Sequence, residues 1–261
     1  MAELGKFEGM LQVGTTALAL SLAENGGGSS SVTVLSASTN YWPTSTTSFL
    51  TAIGTALTAS ASHAGTYTLT VSDSDSGTGR VTISATGVAS FAITWSNTTL
   101  RDALGFDGNV SGSASYTGTN ACPYVWLPNQ KRSSPPVPEG YTGVPIRDTS
   151  ITVAPSGYSK SLYYSTRYAN QFTFRFLSGN KTWDALESVG NESWETFSNT
   201  TAGKGIPVRW HYDRDDDATS KSYVLMPQWE VVPEIDGFTG KGSTGSSTYW
   251  ALKLNAIQYL E

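Results

Sequence analysis

The chain has 261 residues, with 16 Lys and Arg against 21 Asp and Glu, a formal charge of −5. Its 8 Trp and 13 Tyr can build a packed core and only 14% of residues are charged, which excludes a disordered chain. The acidic balance argues against nucleic-acid and anionic-membrane partners, and no stretch approaches the roughly 20 apolar residues of a membrane span.

The chain opens MAELGKFEGMLQVGTTALALSLAENGGG. Glu3 and Glu8 stand where a secretory leader carries positive charge, and Ser21 interrupts the short apolar run 17–22, so no leader is expected. With the Gly/Ser run at 26–31, residues 1–30 are expected as an arm that orders on assembly. Next comes a small α+β domain, 31–128. SVTVLSA (31–37) alternates like a strand. Phe49, Leu50, Ile53 and Leu57 lie at helical spacing behind Ser48, a natural cap. Tyr67, Leu69 and Val71, then a Ser/Asp/Gly turn, then Val81 and Ile83 predict a hairpin. SFAITW (90–95) predicts a further strand, and so does YVWLP (124–128).

Between those last two strands lies TTLRDALGF. Thr98 or Thr99 would cap a short helix there, with Asp102 in its first turn suiting the helix dipole. Leu100, Ala103 and Leu104 would face inward, Gly105 would take a left-handed turn position, and Phe106 would pack back. This is a plug for one end of a core.

Five prolines between 128 and 145 predict an extended linker over 129–145. Beyond it, 146–261 reads as a β-rich, sandwich-like domain. Phe172, Phe174 and Phe176 alternate; Trp183, Leu186, Trp194 and Phe197 suggest a helical stretch broken near Gly190. IPVRWHYD and SYVLMPQWEVV are expected to pair across the acidic loop 213–217, and STYWALKLNAIQYLE to close the sheet. The fold class is therefore mainly β with minor α: two β-rich domains joined by a Pro-rich linker.

Chemistry is sparse. The one cysteine, Cys122, permits no intrachain disulfide and reads as a small buried hydrophobe. His63 and His211 have no evident serine or cysteine partner, no G-x-S-x-G elbow occurs, and both read as structural. GFTGKGSTG (237–245) misses the phosphate-loop spacing and reads as a hairpin loop. DSDSG (73–77) and DRDDD (213–217) miss the twelve-residue calcium loop and read as solvated turns. Asp184, Glu187, Glu192 and Glu195 read as a polar helix face, because paired glycosidase carboxylates must face each other across a cleft. The Asn-x-Ser/Thr sites at Asn97, Asn109, Asn191 and Asn199 are expected by chance in so Ser/Thr-rich a chain. No catalytic, cofactor or metal residue is assigned, and no enzyme activity is expected. Aromatics are the one excess. Trp126, Trp210, Trp229 and Trp250 are the candidate interface residues.

The stretch TGRVTISATGVASFAITWSNTTLRDALGFDGNVSGSASYTG, followed by YVWLP, resembles a module of tailed-bacteriophage virion proteins. The resemblance rests on Phe91, Ile93 and Trp95, on Thr99 to Phe106, and on Trp126 to Pro128, and spans roughly residues 30–130. More loosely, the Trp- and Phe-bearing helix and Pro207–Asp213 resemble minor tail and tail-tip (baseplate) proteins. The resemblance implies a structural virion subunit, assembled in the host cytoplasm, with no cofactor and no active site. Its partners would be copies of itself in a ring or lattice and other virion proteins. It would be a tail-tip, baseplate or adaptor-ring component, docking through loops 23–31, 129–145 and 237–247. The competing readings are a carbohydrate- or receptor-binding module and a capsid decoration protein.

Overall fold

The computed structural model of the chain describes residues 6–44, 47–73, 77–127, 144–153, 159–178, 194–201, 206–211, 221–238 and 247–258. The chain is mainly β, with strands in several antiparallel sheets and few helices.

The first strands are β1 (Lys6–Gly9), β2 (Leu11–Gln12), β3 (Leu18–Glu24), β4 (Ser30–Leu35) and β5 (Asn40–Tyr41). The expected arm over 1–30 is thus corrected, because residues 6–24 supply three strands. Leu18, Leu20 and Leu22 alternate inward and are buried. The glycine run is a hairpin loop: Asn25 and Gly26 both have positive φ (50° and 73°), and Gly27 N donates to Glu24 O at 2.8 Å. That backbone suits the twist of paired strands, and Asn-Gly is its strongest sequence signal.

Helix α1 (Phe49–Thr58) starts where expected, with Ser48 Oγ accepting from Thr51 N at 3.2 Å. It buries Phe49, Leu50, Ile53 and Leu57. Strands β6 (Thr66–Val71) and β7 (Arg80–Thr86) form the expected hairpin, with Leu69 opposite Ile83. Strand β8 (Phe91–Thr94) lies beside β3. Helix α2 (Thr98–Ala103) begins one residue earlier than expected. Its cap is Asn97, whose side chain accepts from Leu100 N at 3.2 Å. Asp102 therefore falls outside the first turn and pairs instead with Arg101 at 2.7 Å. Leu100, Ala103, Leu104 and Phe106 are buried as expected. Strands β9 (Val110–Ser113), β10 (Ser115–Ala121) and β11 (Val125–Trp126) follow.

Sheets β4-β3-β8-β9 and β10-β7-β6 enclose one apolar cluster with α1 and α2. Cys122 is buried in it, its Sγ 3.3 Å from Ala103 O.

The remaining elements are β12 (Val144–Val153), β13 (Ser159–Ser178), α3 (Trp194–Thr200), β14 (Val208–His211), β15 (Lys221–Phe238) and β16 (Ser247–Gln258). The expected pairing of β14 with β15 is present, with Trp210 opposite Lys221. The linker, the calcium-loop candidate at 213–217, the loop within 237–247 and the helix start at 179–193 fall largely outside the described residues. Of the expected linker, Val144 and Pro145 are described, and they begin β12. Strand β12 ends the sheet order, a place where Pro145 need not donate to a second neighbour.

The largest sheet runs β11-β1-β14-β15-β16-β13-β12. It draws β1 and β11 from before the Pro-rich segment, so it is not confined to 146–261. Phe7 of β1 meets Trp126, Trp210 and Phe197 at ring-centroid distances of 6.1, 4.6 and 6.2 Å. Gly9 is required beside them, because a Cβ there would come within 2.1 Å of Thr201 Cγ2.

At the other end of the sheet, β13 changes neighbours. Its residues 169–178 pair with β16, whereas 159–169 pair with β12. Beyond Ala169 the two strands continue as a ribbon with no third strand among the described residues.

Two substitutions test this architecture by urea unfolding. Phe7→Ala should cost about 3–5 kcal/mol, as for other fully buried aromatics. Gly105 has φ +74°, and its Cβ would lie 2.2 Å from Asn120 O, whereas Gly112 (φ +91°) has open space around it. Gly105→Ala should therefore cost clearly more than Gly112→Ala, for which only backbone strain of about 1 kcal/mol applies. Equal costs would contradict the close approach of β10 to α2.

Candidate functional site

Gly105 ends α2 in the left-handed conformation and turns the chain toward β10. Asn120 N donates to Gly105 O at 2.9 Å. Strand β10 pairs with β7 regularly as far as Thr117, then breaks register before Ala121 comes opposite Arg80. Such a bulge re-aims side chains at the end of a ladder. Thr119 and Asn120 consequently flank an open pocket of about 510 Å³. Arg80, Asp102, Asp107 and, from α3, Thr196 and Thr200 complete its polar wall.

The charges there are unevenly matched. Asp102 is held by Arg101, and Asp107 Oδ1 accepts from Asn120 Nδ2 at 2.6 Å. Arg80 has no carboxylate at ion-pair distance among the described residues, and its buried Nε has no hydrogen-bond partner.

A second polar array ties the loop before β6 to the β3–β4 hairpin. Glu24 accepts from Ala64 N (2.8 Å), Gly65 N (2.9 Å) and Tyr67 Oη (2.7 Å). His63 Nε2 lies 2.6 Å from Ser30 Oγ, and its Nδ1 lies 4.0 Å from Glu24 Oε2. The expectation that His63 has no serine partner is thus corrected. The residue types are those of an acyl-transfer triad, but the carboxylate is engaged by the loop rather than by the imidazole. It works as a clamp. Burial raises the Glu24 carboxyl, but the two amides, the Tyr67 hydroxyl and His63 outweigh it and hold the group below 4.5. Burial and the Glu24 carboxylate push Tyr67 above 10.

A third array is buried under β1. Lys6 Nζ pairs with Asp73 at 2.5 Å and with Glu8 at 3.5 Å. Glu8 meets His211 Nε2 at 3.1 Å and accepts from the Thr44 hydroxyl. Asp73 is therefore tied to a buried lysine, not free in a solvated turn. Burial drives the Glu8 carboxyl up, but His211, Lys6 and Thr44 together bring it below 4.5.

The interface candidates divide. Trp126 and Trp210 are 0% and 1% exposed, and both pack on Phe7, so they are core residues and not surface anchors. Trp229 and Trp250 lie on β15 and β16, where the backbone alone is described. Among the described residues no three His, Cys, Asp or Glu side chains gather to hold a metal, and no helix is long and apolar enough to cross a membrane.

No protein family, curated protein or solved structure matches this chain.

Glu8 and Glu24 both titrate below their ordinary value, so each stabilises the fold fully above about pH 4.5 and loses that contribution as pH falls further. Glu24→Gln should lower the melting temperature at pH 7 and flatten its fall between pH 5 and 3. A melting temperature equally acid-sensitive in both proteins would show that the clamp does not depend on the ionised carboxylate.

Proposed function

We propose that this chain is a structural subunit of a tailed-phage virion, acting by assembly in the tail tip, baseplate or an adaptor ring. The observation that carries the assembly reading is the β12–β13 ribbon. It pairs Val144 with Ala169 at its base and Val153 with Ser159 at its tip. A two-stranded ribbon is marginal in water on its own, and its edges, which pair with no other strand among the described residues, offer backbone groups to another chain. The length of β13 points the same way. Its 20 residues span about 66 Å at 3.3 Å each, against about 47 Å for a compact globule of this chain's 261 residues. The resemblance of residues 30–130 to virion proteins supplies the setting.

In this reading the chain still divides at 129–145 into an α+β unit and a sandwich-like β unit, with β1 crossing the division as a lock. The ribbon adds its strands to those of a neighbouring copy, giving a closed ring or a lattice. No reaction is needed for that role.

Light scattering on the purified chain, with negative-stain images of the same fraction, tests the proposal. The expected result is a defined oligomer, and a monomer for a variant in which residues 149–164 are replaced by a short Gly/Asn turn. If full-length chain and variant are both monomeric at about 100 µM, or oligomerise alike, the ribbon is not the assembly element.

A further inference from the structure

We infer that the pocket beside Arg80 is a binding site for a carboxylate-bearing sugar, such as a uronic acid unit of a surface polysaccharide. This inference does not rest on the assembly reading, since the pocket lies on the α2–β10 side of the molecule and needs no second copy.

Three features select the ligand. The first is the lone guanidinium. Arg80 opens β7 directly after Gly79, whose φ of +69° turns the chain, and Cys122 N donates to Gly79 O at 2.8 Å to fix the approach. Arg80 is half-buried with its Nε covered and unbonded, and a guanidinium fork matches a planar carboxylate. The Arg80 guanidinium, which neither aspartate engages, is therefore open to a carboxylate from outside.

The second feature is the pair of carboxylates on the same wall. Asp102 and Asp107 are each engaged through Oδ1, which leaves their Oδ2 atoms to accept from hydroxyl donors. Two fixed negative charges repel a dianion such as phosphate while tolerating a single carboxylate that Arg80 neutralises. The third feature is hydrogen-bonding density. Asn120, Thr119 and Thr200 add both donors and acceptors around a cavity of about 510 Å³. That volume lies in the range of small-molecule sites, and the wall suits a ring that carries several hydroxyls.

The test is a two-dimensional amide NMR titration of the full chain with sodium glucuronate, glucose, inorganic phosphate and a Glu-containing tripeptide, each to about 50 mM. Glucuronate should shift the amides of residues 105–107 and 119–121 saturably. Its affinity should fall at least tenfold in Arg80→Gln. Thr119→Trp, at an exposed position on the rim, should block it without removing any charge. Should Arg80→Gln not fold, Thr119→Trp carries the test alone. Equal binding of glucose would overturn the role of the carboxylate, and equal binding of phosphate would overturn the role of the two aspartates. A response to the tripeptide in preference to glucuronate would assign the pocket to an acidic side chain of a protein partner. No shift from any probe would show that there is no such site.

Discussion

Phe7 stands where three separated segments of the chain meet. Its ring lies against Trp126, Trp210 and Phe197, so β1 holds β11, β14 and α3 together from a position near the amino terminus. All four residues of β1 are buried, hence both of its faces are covered. With a period of two, Phe7 takes the apolar face and Lys6 and Glu8 the other. Two charges on a buried face are tolerable only if matched. Asp73, Thr44 and His211 do the matching, and they come from the β6–β7 turn, the segment before α1, and β14. Arg209 over the ring of Trp42, at 4.2 Å, adds one more tie between β14 and that segment.

This lock explains how a sheet with very long strands can grow from one side of a small α+β core. Strand β14 is anchored to β1, β15 pairs with β14 and β16 with β15, and β13 runs on from β16 until, among the described residues, only β12 accompanies it. The opposite end, closed by α2, is shaped differently. There Gly105 brings α2 close to β10, and the bulge after Thr117 turns polar side chains outward beside Arg80. The short helix is thus a plug for the core and one wall of a pocket.

Elements with a strong local pattern were legible in the sequence: α1 with its Ser48 cap, the β6–β7 hairpin, β8, and the inward face of α2. The cap of α2 was misplaced by one residue because Asn97, Thr98 and Thr99 are all competent caps and spacing alone does not choose among them. The β3–β4 hairpin was readable from Asn25-Gly26, but the glycines and serines after it suggested a free arm. Strand β1 carries no signal of its own. Lys6 and Glu8 look solvated until Asp73 and His211 are brought to them from 67 and 203 residues away. Trp126 and Trp210 looked available for an interface for the same reason, since their cover is Phe7. The Arg80 pocket draws its wall from four segments, and a local pattern cannot reveal that.

Hydrogen exchange across residues 6–9 of the isolated chain tests the lock most directly. The amides of β1 should be protected to the same degree as those of α1 and β7, since β1 opens only when the β11–β1–β14 arrangement is lost. Exchange within seconds, as at a free terminus, would contradict the account. It would make the first strand an arm after all and remove the foundation on which the long sheet is built.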